Sequence, residues 1–175
     1  MIKIKALGGA GEDSRNCFLL STDSLNILLD CGVRREIAEV SRVYPLLTRE
    51  TVSTLDMVII SHPHEDHTAA LPYLYELGYR GDVYGSRETI ELIPDYLRKW
   101  ADYVEANDGQ LPFDRHNIDL ISYRTVDELD IPVRWGRSGH MVGSLWYLFE
   151  LEGHRILYTG DSTYDSLLLQ MDNYP

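Results

Sequence analysis

The apolar positions at the start of the chain recur at every second residue. Ile2, Ile4 and Ala6 alternate with Lys3 and Lys5 as far as Leu7, the period of a strand with one buried face. Gly8-Gly9-Ala10-Gly11 then reads as a flexible loop. Asn16–Leu20 and Leu25–Leu29 flank the polar turn Ser21-Thr22-Asp23-Ser24 and predict a hairpin. Met57-Val58-Ile59-Ile60 is continuous rather than alternating, as for a strand covered on both sides. Between them, Arg34 to Glu50 is mixed and reads as partly helical, broken at Pro45.

The period then changes. Thr68–Leu77, rich in Ala, Leu and Tyr, predicts a helix closed by Gly78, with Pro72 in its first turn. Asp82–Tyr84 is a brief strand. Ile90, Ile93, Leu97, Trp100 and Val104 fall at helical spacing behind a capping Ser86, with a kink expected at Pro94 and an end near Gly109. Ile118–Tyr123 and Ile131–Trp135 predict strands, and Ser144–Leu151 with Arg155–Tyr158 a second hairpin turning at Glu152-Gly153-His154. Strands at both ends with helices between and beside them predict an α+β class: two mixed sheets flanked by helices.

The composition allows one domain of 175 residues, 44% apolar and 25% charged, long enough to bury a core. No apolar run approaches the roughly 20 residues of a membrane span. The N-terminus lacks the apolar stretch of a signal peptide, so a cytoplasmic location is expected. Cys17 and Cys31 form no C-x-x-C pair and read as buried free thiols. A net charge of −12 and the lack of a Lys/Arg block exclude a non-specific nucleic-acid binder. They do not exclude an enzyme that grips phosphate through metal ions, because bound cations neutralise some of the carboxylates.

Ser61-His62-Pro63-His64-Glu65-Asp66-His67 concentrates ligand chemistry. Three of the chain's six histidines fall within six positions, together with Asp66, directly after an apolar strand. A loop leaving a strand end can point His62 and His64 the same way, toward one ion, while Asp66 and His67 at a helix start face a second. Imidazole and carboxylate suit zinc, with manganese or a related divalent ion as the alternative. Glu65 is expected to face solvent or a neighbouring loop. His116 and His154 read as surface residues.

The H-x-H-x-D-H segment resembles the signature of the metallo-β-lactamase superfamily. Leu28-Leu29-Asp30-Cys31-Gly32 is similar to the first motif of that family, Gly139-His140-Met141-Val142-Gly143-Ser144 to the third, and Tyr158-Thr159-Gly160-Asp161 to the fourth. The N-terminal glycine loop with Arg15-Asn16-Cys17, together with Ala70-Leu71-Pro72, resembles the β-CASP branch, which processes nucleic acids. The resemblance implies a four-layer αββα fold of which this chain holds the first half or more. It also implies that the chain is truncated before an inserted domain and the C-terminal part of the fold.

It further implies that His62, His64 and His140 hold one metal, that Asp66 and His67 hold a second, and that Asp161 bridges both. Asp30 is expected to orient the ligand loops by hydrogen bonds, its alternative being a plain turn residue before Gly32. The implied activity is hydrolysis of a phosphodiester in nucleic acid, RNA ahead of DNA, by a water activated between two cations. Asp66, Asp161 and Asp30 would be its acidic residues. A small-molecule hydrolase acting on a thioester, lactone or phosphodiester, and a catalytically silent scaffold, are the other readings. A homodimer is compatible with the sequence. The family usually supplies one more histidine to the second metal, beyond the bridging aspartate. No histidine follows His154, so the second ion is expected to bind weakly or not at all.

Overall fold

A computed structural model describes residues 1–35 and 42–175. The helical reading of Arg34–Glu50 falls partly outside the described residues; within them, α1 spans Arg49–Ser53, capped by Thr48 through the Thr51 amide.

Six strands build one sheet in sequence order: β1 (Lys3–Gly8), β2 (Cys17–Ser21), β3 (Asn26–Leu29), β4 (Met57–Ile59), β5 (Asp82–Gly85) and β6 (Ser122–Thr125). The first hairpin closes at Thr22–Leu25 and pairs Phe18 with Leu29 antiparallel. From β3 onward every neighbour is parallel: Leu29 faces Ile59, and Ile59 faces Tyr84. Parallel strands need long crossovers, and two of them carry α2 (Glu65–Thr68) with α3 (Leu71–Glu76), and α4 (Arg87–Ala106). The second sheet holds β7 (Val133–Arg137), β8 (Leu145–Leu151) and β9 (His154–Tyr158). It is antiparallel throughout, where a mixed sheet was expected, because the loop over 138–144 and the tight turn at Glu152-Gly153 are both too short for a parallel crossover.

Three of the four expected layers are present among the described residues: helices, the six-stranded sheet and the three-stranded sheet. The pleat of β3 and β4 sorts their side chains into two cores. Leu28, Val58 and Ile60 pack with Leu71, Leu74, Ile93, Leu97 and Trp100 on the helix side. Ile27, Leu29 and Ile59 meet Leu145, Tyr147, Phe149 and Leu151 from the second sheet. The site therefore lies at an edge that both sheets reach.

Two expected elements are redrawn. The helix foreseen over Thr68–Leu77 is split, because the Ala70 amide bonds the Cys31 carbonyl at 2.9 Å instead of continuing the helical ladder. The strand foreseen over Ile118–Tyr123 begins only at Ser122. Asp114 caps a 3₁₀ turn over Arg115–Ile118, and the Asn117 side chain donates to Glu76. By contrast, α4 runs through Pro94, with Ser86 accepting from the Thr89 amide as its cap.

Candidate metal centre

β4 ends at Ile59, and Ile60 still bonds the Tyr84 carbonyl of β5. The chain then leaves the sheet as Ser61–His64 and enters α2. This short exit and the start of α2 present His62, His64, Asp66 and His67 within six positions. Gly32, after β3, lies directly beneath it. A Cβ there would stand 1.7 Å from the Asp66 carbonyl oxygen, so only glycine permits this approach. The Cys31 and Val33 amides bond the His67 and Glu65 carbonyls.

His140 arrives from the second sheet, on the loop between β7 and β8. Its loop is fastened to α4, since the Gly143 carbonyl accepts from the Ser86 and Thr89 hydroxyls at 2.7 and 3.0 Å. Asp161 follows β9, and its carbonyl accepts from Ser138 at 2.6 Å. Segments far apart in sequence thus meet at one place.

Two donor sets form, sharing His62. In the first, His62 Nε2 and His64 Nδ1 face each other at 3.0 Å, and His140 Nε2 stands 3.2 Å from His64 Nδ1. In the second, His62, His67 and Asp161, His67 Nε2 lies 3.5 Å from Asp161 Oδ1; Asp66 falls outside both sets, its Oδ2 3.5 Å from the same nitrogen. Asp161 Oδ2 also lies 3.7 Å from His140 Nε2 and 4.0 Å from His62 Nε2. One carboxylate therefore faces both sets. Ring nitrogens crowded this closely repel if protonated and gain nothing if bare, whereas a cation satisfies all their lone pairs. The residues fit a metal pair.

Asp30 explains why the rings hold these orientations. Its fully buried carboxylate accepts from the Ser61 amide and hydroxyl, both at 2.7 Å, and from the Tyr158 hydroxyl at 2.5 Å. His67 Nδ1 is 2.6 Å away and can only donate to a carboxylate, which leaves Nε2 turned toward Asp66 and Asp161. Ser61, its own proton committed to Asp30, accepts from His62 Nδ1 at 3.1 Å. The lone pair of His62 Nε2 is likewise aimed inward. Asp30 also adopts φ 55°, a conformation common for a turn aspartate. Ser61 and Tyr158 had no assigned part in the sequence reading. A serine ahead of the histidine pair is a weak signal, and Tyr158 takes its meaning only from the β8–β9 register.

The charges follow from these contacts. Burial, then the adjacent His67 and His64, hold His62 down to about 2. Burial also opposes charge on His67, but Asp30, with the hydrogen bonds to Asp161 and Asp30, outweighs it and lifts the ring to about 10. The hydrogen bond from His67 holds Asp161 down to about 2, against burial. Burial raises the Asp66 carboxyl.

Glu65 turns away from the centre to pair with Arg35 at 2.9 Å, as the expectation of a neighbouring loop required. His116 and His154 are exposed and belong to neither donor set. Cys17 and Cys31 are both free and buried. A cleft of about 390 Å³ opens over the centre, lined by His64, Asp66 and Asp161 and rimmed by Arg34 and Arg35. No helix among the described residues is long and apolar enough to cross a membrane.

Comparison with known proteins matches residues 10–173 to the Metallo-beta-lactamase superfamily. Transcription termination factor FttA of Methanothermobacter thermautotrophicus is 36% identical over 93% of this chain and 28% of its own length. Endoribonuclease YSH1 of Yarrowia lipolytica is 30% identical over 89% of this chain and 20% of its own length. Both relatives are members of the β-CASP branch. The chain thus spans under a third of the length of these curated relatives. Among solved structures, the metallo-beta-lactamase fold protein YhfI from Bacillus subtilis superposes with a TM-score of 0.59 at 21% identity, covering 94% of this chain and 65% of its own. That likeness concerns the fold alone.

Proposed function

Because this chain belongs to the metallo-beta-lactamase superfamily, we propose that it is the metal-binding part of a phosphodiesterase acting on nucleic acid, RNA ahead of DNA, with zinc as its ion. The observation that carries this reading is the convergence of two donor sets on a shared His62, faced by one carboxylate. We assign His62, His64 and His140 to one ion, Asp66 and His67 to the other, and Asp161 to both. The relative named an endoribonuclease supports the substrate class. When bound, the ions would supply an activated water and offset the charge of a phosphodiester in its transition state.

The chain's own residues do the rest. Asp30 and Ser61 hold the Nδ1 protons of His67 and His62, which fixes both tautomers. Arg34 and Arg35 stand at the cleft rim, where the phosphates of a strand would pass. Both are paired with carboxylates, Arg34 with Glu12 at 3.7 Å and Arg35 with Glu65 at 2.9 Å, so bound cations are what would offset the overall −12 for a substrate that enters here.

The test offers labelled RNA, single-stranded DNA and a panel of small thioesters, lactones and phosphodiesters to zinc- and manganese-loaded protein. The proposal expects RNA cleavage that stops with chelator and in the His62→Ala/His64→Ala double variant. Cleavage that survives either treatment, or turnover confined to the small molecules, contradicts it.

A further inference from the structure

Asn16 is a polar side chain at the centre that neither donor set includes. Its amide nitrogen lies 3.0 Å from His67 Nε2, the atom left free by the hydrogen bond of Nδ1 to Asp30. Asn16 therefore occupies the direction in which His67 would meet an ion. From this geometry we infer that Asn16 is a further ligand of the ion on the Asp66–His67–Asp161 side, turning its carboxamide oxygen to the cation. The inference rests on the proposed metal centre.

Three observations support it. First, the backbone of Asn16 is fixed to the site on both sides: its amide donates to the Asp66 carbonyl at 2.8 Å, and its carbonyl accepts from the Gly32 amide at 2.9 Å. The side chain thus moves with the ligand loop. Second, the approach is held in place by a costly conformation. Arg15 adopts φ 59°, rare for a residue with a side chain. It is secured by Glu12 at 2.8 Å and by the Arg42 and Tyr44 carbonyls. Third, Gly9 leaves room for the amide, since a Cβ there would lie 3.0 Å from Asn16 Oδ1.

The amide has two ends of nearly equal size. Its N–H faces His67 Nε2 at 3.0 Å, whose lone pair is exposed once the proton it shares with Asp161 is lost. A half-turn about the last side-chain bond brings the oxygen to the same place and suits a cation, which takes that lone pair. A carboxamide oxygen is a weaker ligand than an imidazole, so this ion is the looser of the two. With Asp66 and Asp161 it forms an oxygen-rich set, open to a harder ion such as Mn²⁺.

The experiment loads the protein with one equivalent of Zn²⁺ and then titrates Mn²⁺, following the free aqua ion by electron paramagnetic resonance. Wild type is expected to take a second ion, held more weakly than the first. Asn16→Ala should weaken that ion by about tenfold or more while retaining the first zinc at wild-type affinity. Asn16→Asp, which keeps an oxygen at the same reach, should hold the ion as tightly as wild type or tighter. Unchanged or improved Mn²⁺ binding in Asn16→Ala would overturn the inference, as would equal loss in both variants or a wild-type protein that takes no second ion. Failure to bind the first zinc would instead refute the metal centre itself.

Discussion

The two halves of the centre are organised by opposite means. His67 is buried and pinned: its Nδ1 contacts a carboxylate that is itself fully buried and accepts from Ser61 and Tyr158. His64 and His140 are half-buried, among the described residues no carboxylate hydrogen-bonds their rings, and their positions come from loops packed on Tyr96 and on the N-terminus of α4. The difference teaches that one side is built into the core, whereas the other is assembled across the two sheets. Damage on the first side should cost stability, and damage on the second should cost metal.

Asp30→Ala should therefore have the largest effect. It strands the donors of Ser61, His67 and Tyr158 in a dry interior, and removing one member of such a buried pair costs about 3–5 kcal/mol. Urea unfolding of metal-free protein measures this, and His140→Ala under the same conditions should stay within about 0.5 kcal/mol of wild type. Comparable losses in both would erase the contrast.

Ser61→Ala sharpens it from the other direction. The His62 ring loses the acceptor that fixes its tautomer, and zinc affinity should fall by about 10–100-fold, the usual result of removing an outer partner. Calorimetric titration reads the change directly.

Acid should act through His62. Its value in the folded protein is about 2 against an ordinary 6.5, so the unfolded chain takes up a proton that the native one refuses. The contribution of His62 to the stability of the metal-free protein is then fully present above pH 6.5 and declines as pH falls below it, with a slope of at most about 1.4 kcal/mol per pH unit. His62→Gln should flatten that decline.

The smallest effect belongs to Glu65. Its pair with Arg35 is exposed on the arginine side, so Glu65→Gln should change stability by less than about 1 kcal/mol and leave metal content untouched.

Much of this was legible in the sequence. The run from His62 to His67 states its chemistry locally, because ligand type and spacing suffice. The continuous run in β4 follows from cover on both faces, whereas the alternation in β1 marked a strand but not a covered face, since Ile4 and Ala6 are exposed and burial begins at Leu7. What was not legible depends on partners distant along the chain. Ala70 looks like a helix interior until Cys31 claims its amide. Ser122 starts β6 only where it pairs with Asp82. Asn16 lies 51 positions from His67, and Tyr158 is 128 from Asp30; neither distance leaves a periodic trace. The antiparallel second sheet was missed because two convincing hairpins are needed to exclude a parallel strand, and only one was read.

The central claim is that imidazoles and carboxylates from both sheets enclose a pair of cations. Anomalous diffraction from crystals of the zinc-loaded protein tests it most directly. The account predicts one peak among His62, His64 and His140 and another beside Asp66, His67 and Asp161, with ring orientations unchanged. Zinc bound instead at His116 or His154, with the central rings empty at saturating metal, would contradict it.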